Sequence, residues 1–367
     1  MTSLMVSLTK VAKRTSWFLF LAAVLTSFWG RAEQVQVLRD PEIPGPDLRL
    51  TSASYSPSGD RILTSSEYGL VRIWDAKIHA SISTCKPGMW LPPELQRKGR
   101  LKQNLPWIRD AEFSPDGSQV VMVGPYGHGW IWKQVEKDCG IENLTPLQGK
   151  LPHTEDARTG QFSHDGQRIA TTSDDSAVKV WDVTGKLLAS FNYELGDLYT
   201  TSAVFSPDDQ TIIASRTDGL ILKIDAQTFE STELKKASEN PTAILEIAMG
   251  PRQDSFVTAA SDGEVAIWDF AGNKLTTVRS RSDLGANSVA VSPDRRWVAV
   301  GTAAVEEASL HSKAQLYRVQ DGKLLAEIQI SKSSVSKVNF SPDGKQVLVA
   351  SYDGTATIWN IEELKAR

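Results

Sequence analysis

The chain has 367 residues, 41% hydrophobic and 23% charged, with a formal net charge of −4 and acids and bases mixed throughout. That is the composition of a globular protein with ample material for a core. Without a concentrated basic face it does not read as a nucleic-acid-binding protein, and no nucleic-acid partner is expected.

At the N-terminus, Lys10, Lys13 and Arg14 precede an apolar run from Trp17 to Trp29, and Gly30-Arg31-Ala32 follows. Basic residues, a short apolar run and small residues are the layout of a secretory signal peptide, here over residues 1–32. The run is about 13 residues, short of the ~20 that a membrane-spanning helix needs. The sequence therefore predicts an exported protein, periplasmic or extracellular. The alternative is an uncleaved N-terminal anchor, the one route by which the chain would touch a membrane.

From there on the chain repeats itself. An apolar residue followed by Ser-Pro-Asp-Gly, or a degraded form of it, anchors each copy: Tyr55, Phe113, Phe162, Phe205, Met249, Val291 and Phe340. Successive anchors lie 58, 49, 43, 44, 42 and 49 residues apart, and a fixed period of this size is the mark of a repeat architecture. Each copy has one grammar. A short apolar strand ends at the anchor, and a Pro-Asp-Gly turn follows. A second strand is rich in Val, Ile and Ala, and a third ends in Ile-Trp or Val-Trp. A Gly-Lys or Asn-Lys turn then leads to a fourth. That is a four-stranded antiparallel meander. One such sheet cannot bury both faces, but seven packed face to face around an axis can. The expected fold is all-β, a single seven-bladed β-propeller of four-stranded antiparallel sheets over residues 33–367.

These motifs resemble the WD40 family. Trp74-Asp75, Trp181-Asp182 and Trp268-Asp269 carry its dipeptide, Trp359-Asn360 is a near variant, and the resemblance covers roughly residues 48 to 360. It implies a structural hydrogen-bonded set inside the third repeat, formed by His153, Thr171, Asp175 and Trp181. Repeat five has Thr258, Asp262 and Trp268 with Asn240 in place of His. Repeat one has Tyr68 at the Asp position, and repeat seven has Val349 in place of the hydroxyl. Repeat four has Ile224 in place of Trp, and repeats two and six are the most degenerate. The last repeat runs out after its third strand, because only IEELKAR follows Asn360. The alternating segment EQVQVLR, residues 33–39, fits the gap and would remove an exposed sheet edge.

Cys85 and Cys139 are the only cysteines. Each follows an Ile-Trp pair by roughly ten residues, so they occupy similar places in adjacent repeats. A bridge needs Cα atoms within about 7 Å, and neighbouring outer strands can sit further apart. A disulfide and two separate thiols both remain open.

The case for an enzyme is thin. His79, His128, His153, His164 and His311 form no ligand pair, and GxxxxGK, GxSxG and HExxH are absent. His153, Thr171 and Asp175 imitate a triad but belong to the structural set. Glu306, Glu307 and His311 share one long polar loop that reads as solvated. Asp116, Asp165 and Asp343 belong to the repeated turn. No cofactor and no metal are expected.

The case for binding is stronger. By the family's geometry, residues six before each anchor lie near the rim of one face: Arg49, Trp107, Asp156, Tyr199, Ala243, Gly285 and Ser334. The first four are large or charged, and aromatic residues and Arg are over-represented at binding hot spots. Two insertions emerge on the same side. Residues 85–107 carry Trp90 and a basic group at Arg97, Lys98, Arg100 and Lys102, and residues 302–313 lengthen a loop in repeat six. Asn143-Leu144-Thr145 is a glycosylation sequon. The sequence thus predicts a scaffold, monomeric by itself, that binds a protein or peptide through Arg49, Trp107, Asp156, Tyr199 and Trp90 and performs no chemistry. The alternative is a small-molecule hydrolase or lyase with its site in the central channel.

Overall fold

Each repeat folds into its own antiparallel sheet of four strands, and seven such sheets make up a seven-bladed β-propeller. The computed structural model describes residues 36–39, 49–87, 107–147, 153–193, 198–236, 242–250, 252–279, 284–303, 312–331 and 333–365. Blade 1 spans residues 50–85, blade 2 110–146, blade 3 157–192, blade 4 200–236, blade 5 244–279 and blade 6 286–331. Blade 7 has three strands from residues 335–360, and its fourth is Gln36–Leu38, hydrogen-bonded beside Ala356–Asn360. Leu38 is buried there, among the blade 7 and blade 1 residues of one core cluster that also holds Tyr55, Ile62, Leu348 and Ile358.

The core is a ring of such clusters, one at each interface between blades. Alternation along each strand sends apolar side chains to both faces of the sheet, and both faces are covered by neighbours. The repeated turn is built the same way in most blades. Ser114 Oγ accepts from Gln119 N at 2.9 Å and donates to Asp116 Oδ1 at 2.6 Å, and Ser341 repeats this with Gln346 N at 2.9 Å and Asp343 at 2.6 Å. Asp116, Asp165 and Asp343 therefore shape their turns, which holds their carboxyls below the ordinary range.

The Trp of the third strand hydrogen-bonds a Thr on the second. The distance is 2.9 Å for Trp74 to Thr64, Trp181 to Thr171 and Trp268 to Thr258. The degenerate blades each solve this position differently. With Val349 in the hydroxyl position, Trp359 Nε1 turns to Thr357 Oγ1 on its own strand at 2.9 Å. Blade 6 has Tyr317, whose hydroxyl donates to Gln315 at 3.1 Å. In blade 4 Ile224 is fully buried and needs no partner. In blade 2 Met122 replaces the hydroxyl, and the buried Trp132 Nε1 has no hydrogen-bond partner among the described residues.

Cys85 and Cys139 form a disulfide, with Cα atoms 4.8 Å apart. Cys139 is not on an outer strand. It sits in the loop before Leu144–Pro146, and that loop folds back on blade 1. Cys139 N donates to Thr84 O at 3.0 Å, Thr84 N to Asp138 Oδ1 at 2.7 Å, and Ser83 Oγ to Val135 O. The same loop buries Asn143, whose amide accepts from Gly140 N at 2.7 Å and donates to Asp138 O. In the folded chain the sequon asparagine is thus spent on shaping its loop.

Candidate partner-binding funnel and central channel

The innermost strand of each blade faces the axis. In six of the seven, the pairing register shifts at the residue four before the anchor: Thr51, Arg158, Thr201, Leu245, Asn287 and Ser336. A bulge bends its strand and re-aims a side chain. These six residues, with Arg109 at the matching place in blade 2, line a funnel of about 430 Å³ at one mouth of the channel. Residues one before the anchor line a second cavity of about 470 Å³, among them Ser54, Glu112, Gln161 and Asn339. Asp110, Glu246 and Lys337, three before their anchors, line both and sit between them.

That middle layer carries the buried charge. Lys337 of blade 7 is paired with Glu246 of blade 5, bypassing blade 6, and Glu246 Oε2 accepts from Val289 N of blade 6 at 2.7 Å. Burial alone would pull the Lys337 ammonium down, but Glu246, Asp110 and Glu112 outweigh it and hold it above its ordinary value. Glu112 is half-buried on the channel wall. Burial first, then Asp110, pushes its carboxyl up to about 8, so it is chiefly the neutral acid at neutral pH. The channel thus does bring carboxyl groups together, which the sequence pattern does not foretell. Among the described residues, however, no group of three or more His, Cys, Asp or Glu is arranged to hold a metal ion.

The channel wall also clasps blades to each other. An innermost strand has no partner on its axial side, so its N–H groups need acceptors from outside the sheet. Neighbouring side chains supply them. Asp110 accepts from Gly160 N at 3.4 Å, Ser288 from Val338 N at 3.0 Å, Gln161 from Phe205 N at 3.1 Å and Asn339 from Tyr55 N at 3.2 Å.

At the funnel mouth, Trp107, Glu67 and Tyr352 join Arg109 and Arg158 on the wall. Arg158 is tied to Asp174 and lies over the Tyr199 ring at 5.2 Å. Arg49 is exposed and 3.8 Å from Glu67. Burial raises the Tyr352 phenol, while Arg109, Arg49 and Arg158 act on it to lower it and Glu67 to raise it, so four charges converge around this hydroxyl. Among the residues singled out from the sequence, Trp107 lines the funnel, while Tyr199 supports Arg158 and Arg49 meets Glu67. Asp156 is used locally, its carboxylate accepting from Tyr126 N at 3.0 Å. Trp90, the basic group at 97–102, and Glu306, Glu307 and His311 lie outside the described residues. Sequence reasoning missed Arg109, Arg158, Glu67, Tyr352 and the channel residues. Reading positions four, three and one before each anchor would have found most of them.

In the third blade, His153 Nδ1 lies 3.0 Å from both Asp175 oxygens and Nε2 2.8 Å from Thr171 Oγ1, which accepts from Trp181 Nε1 at 2.9 Å. The hydroxyl accepts from the indole and gives its proton to Nε2, so Nδ1–H faces the carboxylate. Burial lowers the imidazole pKa and keeps it neutral.

Fold and channel together define this protein as a seven-bladed β-propeller with a funnel at one mouth of its axial channel. The repeats are of a known kind: the family model "WD domain, G-beta repeat" matches residues 38–75, 147–182 and 322–360. The chain is 23% identical over 278 residues to periodic tryptophan protein 2 of Saccharomyces cerevisiae, covering 68% of this chain and 30% of that one. It is 25% identical over 218 residues to transducin beta-like protein 2 of Homo sapiens, covering 55% and 47%. It is 23% identical over 315 residues to guanine nucleotide-binding protein subunit beta-5b of Danio rerio, covering 82% and 70%. The chain spans less than half the length of the first two.

These relatives overturn the expectation of export, since they are intracellular proteins and not exported ones. The expectation rested on a short apolar run behind three basic residues, a pattern that is not specific to secreted chains. That run lies outside the described residues. Among the described residues no helix is long and apolar enough to cross a membrane.

Proposed function

We propose that this chain is a scaffold that binds a protein or peptide partner at the axial funnel and carries out no chemistry. The observation that carries the reading is the funnel itself: Trp107 and Arg109 of blade 2, Arg158 of blade 3 and Tyr352 of blade 7 line one cavity of about 430 Å³. Aromatic rings and guanidinium groups on a rigid frame are what hot spots are made of. The ring of blades fixes them before binding, so little order has to be imposed on capture. Kinship to other WD-repeat proteins supports a scaffold role. Two of the channel carboxyls are engaged in holding blades together: Glu246 by Lys337 and Val289 N, Asp110 by Gly160 N. The chain is expected to be a monomer by itself.

The test is crosslinking in the native cell followed by mass spectrometry, with the wild-type chain and Trp107→Ala side by side. The reading expects specific partners on the wild type that the variant loses while its melting temperature is kept. An unchanged set of partners on a folded variant sinks it.

A further inference from the structure

The funnel's charges are unevenly satisfied. Its three carboxylates all have partners: Glu67 faces Arg49 at 3.8 Å, Glu246 holds Lys337, and Asp110 accepts from Gly160 N at 3.4 Å. Of its cations, Lys337 is held by Glu246, and Arg158 is tied to Asp174 and stacked on Tyr199. Arg109 is different. It is half-buried on the funnel wall, and among the described residues no carboxylate is in ion-pair range of its guanidinium and no side chain or carbonyl accepts from it. A partly dehydrated guanidinium that keeps its donors free gains more from a carboxylate than an exposed one does.

The surroundings point the same way. Arg49, Arg109 and Arg158 all act on the Tyr352 hydroxyl; Glu67 answers Arg49 and Asp174 answers Arg158, which leaves Arg109, among the described residues, as the unanswered charge at this mouth. An unanswered cation on a rigid wall orients a partner group of opposite sign. Trp107 stands beside Arg109 and offers an apolar face.

We infer that the funnel takes an acidic side chain from an extended segment of a protein partner, its carboxylate paired with Arg109 and a neighbouring apolar residue laid on Trp107. This rests on the reading of the funnel as the docking site and names what that site selects. A cavity of about 430 Å³ admits side chains from such a segment and excludes a folded surface. The fork of Arg109 supplies two parallel donors to one carboxylate, and Lys cannot reproduce that geometry.

The probe is a display library of random linear peptides panned against the full chain. The inference expects the selected peptides to share an Asp or Glu next to an aromatic or aliphatic residue. A synthetic peptide from that set should lose affinity about tenfold or more on Arg109→Gln, and similarly when its own carboxylate becomes the amide. Its affinity should fall as salt rises, and Arg109→Lys should restore only part of it. Melting curves confirm that both variants are folded. Peptides that bind, and are lost on Trp107→Ala, yet show no acidic preference or ignore Arg109→Gln, overturn the inference and leave the scaffold reading standing. Peptides indifferent to Trp107→Ala overturn both, as does a wild-type chain that selects no peptide.

Discussion

His164 and Asp209 occupy, in two neighbouring blades, the places where four other interfaces hold a proline and a glycine. A Cβ at Gly59 would lie 3.3 Å from Pro342 Cδ, one at Gly117 3.5 Å from Pro57 Cδ, one at Gly166 3.7 Å from Pro115 Cδ, and one at Gly344 3.6 Å from Pro293 Cδ. Each of these turns tucks its glycine under the proline of the blade before it. Between blades 3 and 4 both partners change together. His164, unlike Pro, has an N–H, and it donates to Asp209 Oδ1 at 2.8 Å. The ring Nδ1 is 3.0 Å from the same oxygen, and Asp165 N donates to Oδ2 at 2.8 Å. Asp209 takes the left-handed conformation, φ 56°, that Gly holds elsewhere, and Asp is one of the few residues that tolerates it.

The pair should therefore behave as a unit. His164→Pro removes two of the three donors to a nearly buried carboxylate and should cost about 1–3 kcal/mol. Asp209→Gly strands three donors and should cost a similar amount. The double substitution recreates the proline–glycine contact of those four interfaces and should recover most of the loss. Urea unfolding of the three variants reads out this coupling. Additive losses would show that the two residues act separately.

The period and turn chemistry of the repeats were legible because each depends on residues close in sequence: Ser114 with Asp116 and Gln119, Trp181 with Thr171. The blade count and the fold class follow from that local grammar. What lay hidden is what only ring closure brings together. Lys337 meets Glu246 across 91 positions, and Tyr55 meets Asn339 across 284. Nothing in the local pattern of any of these residues names its partner. Arg109 and Arg158 were overlooked for a related reason. The bulge that turns the residue four before the anchor toward the axis is a defect in pairing, and strict alternation does not reveal it. Cys139 pairs with Cys85 because its loop doubles back, and no strand periodicity encodes that path.

The third-blade quartet should set an acid limit on stability. Burial alone would raise the Asp175 carboxyl, but the hydrogen bonds it accepts from His153 Nδ1, Thr154 N and Ala177 N outweigh it and hold it well below the ordinary carboxylate range. A folded value below the unfolded one means stability that is present above about pH 4 and is lost as pH falls toward 2. Asp175→Asn should lower stability at neutral pH and flatten that acid limb. Thr171→Val strands both Trp181 Nε1 and His153 Nε2 and should cost about 1–3 kcal/mol at all pH values. Melting temperatures between pH 2 and pH 7 separate the two effects. An acid limb that survives Asp175→Asn unchanged would place its origin elsewhere.

Reduction should loosen the interface of blades 1 and 2. The bridge between Cys85 and Cys139 spans 54 positions, and closing a loop of that length restrains the unfolded chain by about 4 kcal/mol on the chain-entropy account. The loop around Cys139 keeps its hydrogen bonds to the Thr84 backbone N–H and C=O, so the fold should survive reduction with a lower melting temperature. Thiol titration of the chain unfolded without reductant should find no free cysteine. Two titratable thiols, or a melting curve indifferent to reductant, would contradict this.

Glu112 should make the channel sensitive to alkali. Its carboxyl, pushed up to about 8 mainly by burial, binds a proton more tightly in the folded chain than in the unfolded one. A folded value above the unfolded one gives a contribution that is full below about pH 4.5, declines as pH rises, and is exhausted once pH passes 8. Above that the folded chain holds an ionised Glu112 beside Asp110 and Glu246, with only Lys337 to offset it. Glu112→Gln keeps the shape and removes the charge. It should match the wild type near pH 4.5, exceed it in melting temperature at pH 8 to 9, and leave peptide capture at the funnel unaltered, because Glu112 lies on the other cavity. A variant whose melting temperature tracks the wild type across this range would show that Glu112 ionises normally and that the middle of the channel is open to bulk water.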